Sequence, residues 1–191
     1  MPIGTAVHER TFALCESLNY REWSGYYAPS AYEAHHEHEY NAIRNACALI
    51  DVSPLYKYMV TGRDATRLVN RILTRDVHKV QPGQVIYCCW CDEQGKTIDD
   101  GTVTRLEENR YRWTAADPSL RWFRENAQGL DVTIEDISER TAALALQGTA
   151  LVAAVYDDDS AVCPLPALEL CVAAAALPAA RAALARGGWA A

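Results

Sequence analysis

Two adjacent carboxylates, Asp99 and Asp100, follow Ile98 in a stretch rich in β-forming residues. A positioned carboxylate moves protons or binds a cationic or protonated nitrogen. On a strand, successive side chains point to opposite faces, so these two cannot act as a proton-sharing dyad. Ile98 and Asp100 share a face, which places Asp100 among apolar neighbours. Burial raises a carboxyl pKa and suits it to proton transfer. The competing reading is a pair of solvated acids at a strand end. The run Cys88-Cys89-Trp90-Cys91 has C-x-x-C spacing. A redox or zinc pair of that type needs a turn or a helix start. Here the run lies within a strand, so reduced, metal-free and mostly buried thiols are expected. His35, His36 and His38, with Glu37 and Glu39, have spacings that put two or three on one helix face. No further ligands at fixed spacing accompany them, so a solvated face is expected. P-loop and nucleophile-elbow patterns are absent from the sequence.

The elements that must position these residues follow from periodicity and turn signals. Residues 1–30 read as an arm ending at Pro29. From Ser30 to Ala48 the pattern is helical, with Ser30 and Glu33 spaced as a capping box. The turn before Pro54 stops that helix. Tyr56 to Val60 alternates as a strand, and Asp64 to Leu73 is a helix with Ala65, Leu68, Val69 and Ile72 on one stripe. Strands at Val85–Cys91, Thr97–Leu106 and Tyr111–Ala115, joined by short polar turns, form an antiparallel meander. Pro118 to Gln128 reads as a helix closed by Gly129, and residues 132–134 and 143–146 as strands. This order predicts an α+β domain, an antiparallel sheet with flanking helices, rather than a doubly wound one. Val172 to Ala185 reads as an alanine-dominated helix broken by Pro178.

The chain has 191 residues and a net charge of −7. Half its residues are hydrophobic, enough for a sizeable core. An acidic chain is a poor nucleic-acid binder by default. No run of about 18 apolar residues exists, and the N-terminus lacks a signal-peptide core. Neither nucleic acid nor membrane is expected as a partner, and a cytoplasmic location is expected. Seven cysteines, an odd number, read as reduced thiols. Arginine outnumbers lysine 15 to 3.

Several runs, taken in order, resemble the glycine-cleavage T-protein family of folate-dependent aminomethyltransferases. They are Asn41-x-Ile43-Arg44, Leu49-Ile50-Asp51-Val52-Ser53, Val60-x-Gly62-x-Asp64-Ala65 and Leu73-Thr74-x-Asp76-Val77. Gly83-x-x-x-Tyr87, Asp92-Glu93-x-Gly95-x-x-Ile98-Asp99-Asp100 and Leu144-x-Leu146-Gln147-Gly148 continue the series. The resemblance covers residues ~40–149. It implies a domain that binds tetrahydrofolate and takes part in one-carbon transfer from an amino, sulfur or oxygen donor. The donor is a small molecule or a lipoyl protein. The family's catalytic carboxylate falls on Asp100, and its folate-lining positions fall on Leu55, Tyr87, Asp100 and Thr114. Thr114 stands where the family carries asparagine, and Pro54 where it commonly carries histidine. Both departures bear on the donor rather than the fold.

The expected organisation is an arm over 1–30, a folate-binding domain over 31–149, and an alanine-rich tail over 150–191. The tail reads as a truncated or frame-shifted second domain. The expected function is a tetrahydrofolate-dependent aminomethyl or methyl transferase. Alternatives are a non-catalytic folate-binding module, a folate-dependent demethylase, and a structural subunit that needs a partner. The Ile98-Asp99-Asp100 form favours the aminomethyltransferase branch.

Overall fold

The computed structural model describes residues 1–148 and, as backbone, 167–173. In chain order the elements begin with α1 (His8–Phe12), β1 (Tyr20–Trp23), β2 (Tyr26–Pro29), α2 (Glu37–Asn45) and β3 (Ala48–Asp51). Next come β4 (Tyr56–Thr61), α3 (Ala65–Ile72), β5 (Val85–Cys91), β6 (Thr97–Glu107) and β7 (Arg110–Ala115). The order ends with α4 (Leu120–Asn126), β8 (Thr133–Asp136), β9 (Thr141–Gln147) and β10 (Ala167–Ala173). The chain forms two compact units, Leu55–Glu139 and the segments on either side of it. Among the described residues no helix is long and apolar enough to cross a membrane.

The Leu55–Glu139 unit is a five-stranded antiparallel sheet in the order β5-β6-β7-β4-β8. This is the α+β, antiparallel arrangement that the alternation and short turns predict. Side chains alternate across the sheet, so Tyr58, Val60, Trp90, Val103, Tyr111 and Trp113 fall on one face, and all are buried. α3 lays its Ala65-Leu68-Val69-Ile72 stripe against this core. Phe123 of α4 fills the centre, its ring 4.1 Å from that of Trp113 and 5.3 Å from that of Tyr58. The runs that carried the resemblance have local physical roles here. Asp92 Oδ1 accepts the N–H groups of Gln94 and Lys96 at 3.0 and 2.8 Å, which closes the β5–β6 turn. Asp76 accepts the His78 N–H at 3.0 Å and caps a short 3-10 turn, Val77–Lys79. β8 starts and ends later than the sequence predicts, because pairing of Thr61 with Thr133 and Tyr58 with Asp136 sets its register.

The other unit holds the β1–β2 hairpin and a three-stranded antiparallel sheet, β10-β9-β3. Ala142 to Leu146 of β9 are all buried. The Ser53 hydroxyl accepts the Ala143 N–H at 3.1 Å, and Asp51 accepts the Ser53 N–H at 3.0 Å and the Thr5 hydroxyl at 2.6 Å. Two expectations are corrected here. The helix predicted from Ser30 starts only at Glu37, and its capping box does not form. Ser30 N–H instead bonds the Asn19 carbonyl at 2.8 Å, and Tyr32 N–H bonds Glu39 Oε1 at 2.5 Å, so the segment is held by other partners. The helix expected over 172–185 begins with Val172 and Ala173, which instead end β10; its remainder lies outside the described residues.

Candidate functional site

The sheet face opposite the core carries the polar groups. Register places Tyr87 of β5 opposite Thr102 of β6, Thr102 opposite Thr114 of β7, and Thr114 opposite Lys57 of β4. These four side chains form one transverse row, spanning about 14 Å at ordinary strand spacing. Asp100 lies two residues before Thr102 on β6 and therefore on the same face, opposite Cys89. The Tyr87 hydroxyl donates to Asp100 Oδ2. That bond favours the protonated phenol and pushes the Tyr87 pKa above its ordinary value. Tyr87 is 63% exposed, so its ring is presented to solvent.

Asp99 occupies the opposite environment. It is 6% exposed, and its Oδ2 accepts the N–H groups of Ala116 and Asp117 at 3.1 and 3.0 Å. The sequence expectation that the two carboxylates face opposite ways holds, but the expected burial is reversed. Ile98 is 37% exposed and Asp100 is half-buried, so Asp100 does not sit among core residues. The reason is that α3 and α4 cover the Asp99 face. Gly101 makes the arrangement possible, because a Cβ there would collide with the Thr114 carbonyl across the β6–β7 pair.

The edge strand β5 is steadied from outside. Arg75 Nη1 donates to the Tyr87 carbonyl at 3.1 Å, and the Thr74 hydroxyl donates to the Cys89 carbonyl at 3.0 Å. The three thiols expected to be mostly buried divide instead, Cys88 buried and Cys89 and Cys91 half-buried. A register shift between Trp90 and Cys91 ends the strict alternation. Of the histidines, only His38 lies on α2; His35 and His36 precede it, and His38 Nδ1 pairs with Glu33 Oε2 at 2.6 Å. No group of three or more His, Cys, Asp or Glu residues that could hold a metal occurs among the described residues.

The structure thus brings Tyr87, Asp100 and Thr114 to one face, with Leu55 just before β4. Sequence reasoning missed Thr102 and Lys57. Lys57 carried a signal: it is one of three lysines, and in Tyr56-Lys57-Tyr58 alternation sets it apart from both tyrosines.

The GCVT N-terminal domain family model matches residues 6–180. The chain belongs to this family. The matched span runs past Thr149, where the end of the resembling runs and the alanine-rich composition placed a boundary. Among curated relatives, an aminomethyltransferase of Geobacillus thermodenitrificans is 35% identical over 133 residues, 68% of this chain and 36% of that protein. A trimethylamine-oxide aldolase of Ruegeria pomeroyi is 34% identical over 148 residues, 75% of this chain and 18% of that protein. The chain therefore spans about a third or less of these curated relatives. The structure of glycine cleavage system aminomethyltransferase T from Bartonella henselae superposes with a TM-score of 0.81 at 19% identity. It covers 96% of this chain and 57% of that one. That likeness establishes the aminomethyltransferase-type fold.

Proposed function

We propose that the polar sheet face binds tetrahydrofolate, and that the chain serves a one-carbon transferase of the glycine-cleavage T-protein type. The observation that carries this reading is the hydroxyl of the exposed Tyr87 ring bonded to the half-buried Asp100 carboxylate. The residues present suit a folate. A carboxylate accepts from the N–H groups of a pterin edge, threonine hydroxyls donate or accept, and an exposed tyrosine ring offers an apolar surface to an aromatic group. Asp100 would orient the ring, with Tyr87 and Leu55 lining the site and Thr114, 5% exposed, supporting it from the neighbouring strand. When bound, tetrahydrofolate supplies the nitrogen that accepts the aminomethyl or methyl group.

Asp100 then holds or moves the proton displaced at that nitrogen. Its Oδ2 already takes the Tyr87 hydroxyl as a donor, so the carboxylate is oriented before any ligand arrives. A carboxylate fixed beside a developing positive charge is how such a site gains rate. The donor is a small molecule or a lipoyl protein. The similarity to a trimethylamine-oxide aldolase favours a second reading, a demethylase working on a small methylated amine. Equilibrium titration with tetrahydrofolate tests the proposal. Binding weakened about tenfold or more by Tyr87→Phe or Asp100→Asn is expected, since each removes a polar contact to the ligand or its holder. Unchanged affinity in both variants would contradict it.

A further inference from the structure

The transverse row Tyr87-Thr102-Thr114-Lys57 is engaged at its ends and open at its centre. The Tyr87 hydroxyl donates to Asp100, and Nζ of the fully buried Lys57 donates to the Leu55 carbonyl at 2.6 Å. The side-chain hydroxyls of Thr102 and Thr114 have no hydrogen-bond partner among the described residues. The two differ in access. Thr114 is 5% exposed, whereas Thr102 is half-buried, so Thr102 is the one that can meet a ligand. Its position is fixed without any side-chain bond. β6 is an inner strand, and Thr102 is flanked by Tyr87 on β5 and Thr114 on β7. A β-branched side chain is also restricted at its first torsion. The hydroxyl is therefore set in place before a ligand arrives.

We propose that Thr102 is a binding residue of this face, its hydroxyl donating to a carbonyl oxygen or ring nitrogen of the ligand beside the N–H groups that Asp100 accepts. The inference rests on the folate reading of this face and adds a contact that the resemblance does not name. Donors and acceptors decide it. Asp100, two residues earlier on β6 and roughly 7 Å along the strand, offers acceptor oxygens. The Tyr87 proton is already committed to Asp100. A threonine hydroxyl can donate, so Thr102 meets the acceptor atoms of a ring edge that Asp100 cannot. Thr104 is the same residue type on the same strand and face, also half-buried, but it lies one row further from Asp100, between Val85 and Arg112. It is therefore an internal control.

The test is a titration of the whole chain with 5-formyltetrahydrofolate, a folate resistant to oxidation, alongside thermal melts. Thr102→Val keeps the shape and removes the hydroxyl. It is expected to raise Kd about fivefold, the loss of one neutral hydrogen bond. Its melting temperature should stay level or rise, because valine suits a strand at least as well and no internal bond is lost. Thr102→Ser keeps the hydroxyl and should bind within about twofold of wild type, as should Thr104→Val. Should Thr102→Val not fold, Thr102→Ala serves in its place. Wild-type affinity in Thr102→Val, an equal loss in Thr102→Ser, or an equal loss in Thr104→Val would overturn the contact while leaving the folate reading standing. Wild type failing to bind the folate at all would overturn the folate reading and the contact with it.

Discussion

Asp99 accepts two backbone N–H groups from the segment after β7, whereas the half-buried Asp100 accepts the exposed Tyr87 phenol. Substituting them should therefore separate stability from function. Asp99→Asn should lower the unfolding free energy by about 2 kcal/mol, since buried bonds to a charged group are worth that much. Asp100→Asn should change it by about 0.5 kcal/mol or less, as for surface substitutions. Urea unfolding curves read both. In a longer family member with the same pair, Asp100→Asn should slow one-carbon transfer ~100- to 10,000-fold, the loss of one positioned proton-transfer group. A larger loss for Asp99→Asn would contradict these roles. The Tyr87 phenol, raised by its bond to Asp100, should keep its proton above the ordinary tyrosine range. Any stability from that bond is present below the unfolded phenol's pKa and fades as pH rises through the folded value. Difference ultraviolet titration of wild type against Tyr87→Phe isolates this phenol, and Asp100→Asn should return it toward the ordinary value. The opposite facing of the two acids was legible in sequence, because strand alternation is local. Which face is buried was not, because that depends on where α3 and α4 pack.

At the scale of elements, the meander was the most legible part. β5 begins and ends where its alternation and flanking turns place it, at Val85 and Cys91. α3 carries the expected apolar stripe. The helix starts later than the capping pattern at Ser30 predicts because that pattern competes with other partners, here Asn19 for Ser30 and Glu39 for Tyr32. Lys57 was missed for a similar reason, since a lysine in an alternating strand is ordinarily the solvated residue. The β6–β7 approach at Gly101 yields a further prediction. Gly101→Ala should cost about 3 kcal/mol, because the new Cβ meets backbone, which yields less readily than a side chain. It should also disturb Asp100 and Thr114 together. Denaturant unfolding and folate titration of one variant would show both effects, and an unchanged midpoint would show that the strands separate freely.

For the molecule as a whole, β9 is the strand most exposed to loss of a neighbour. It pairs with β3 on one side and with Ala167–Ala173 on the other, and its interior positions are all apolar. A chain ending at Gly148 would turn β9 into an unprotected edge, a template for pairing with another molecule. Size-exclusion chromatography of that truncated form should show concentration-dependent association that the 191-residue chain lacks. Amides of 143–146 should exchange more slowly in the full chain. Alanine content and the end of the resembling runs set the stretch after Thr149 apart; the pairing of Ala167–Ala173 with β9 is a non-local fact that neither carries. The central claim, that one sheet face is a folate site, is tested most directly by hydrogen exchange with and without 5-formyltetrahydrofolate. Slowed exchange at the bend before β4 and in β5–β7 around Tyr87, Asp100, Thr102 and Thr114, with α4 unaffected, is the expected result. No slowing anywhere at saturating ligand, or slowing confined to α3 and α4, would contradict it.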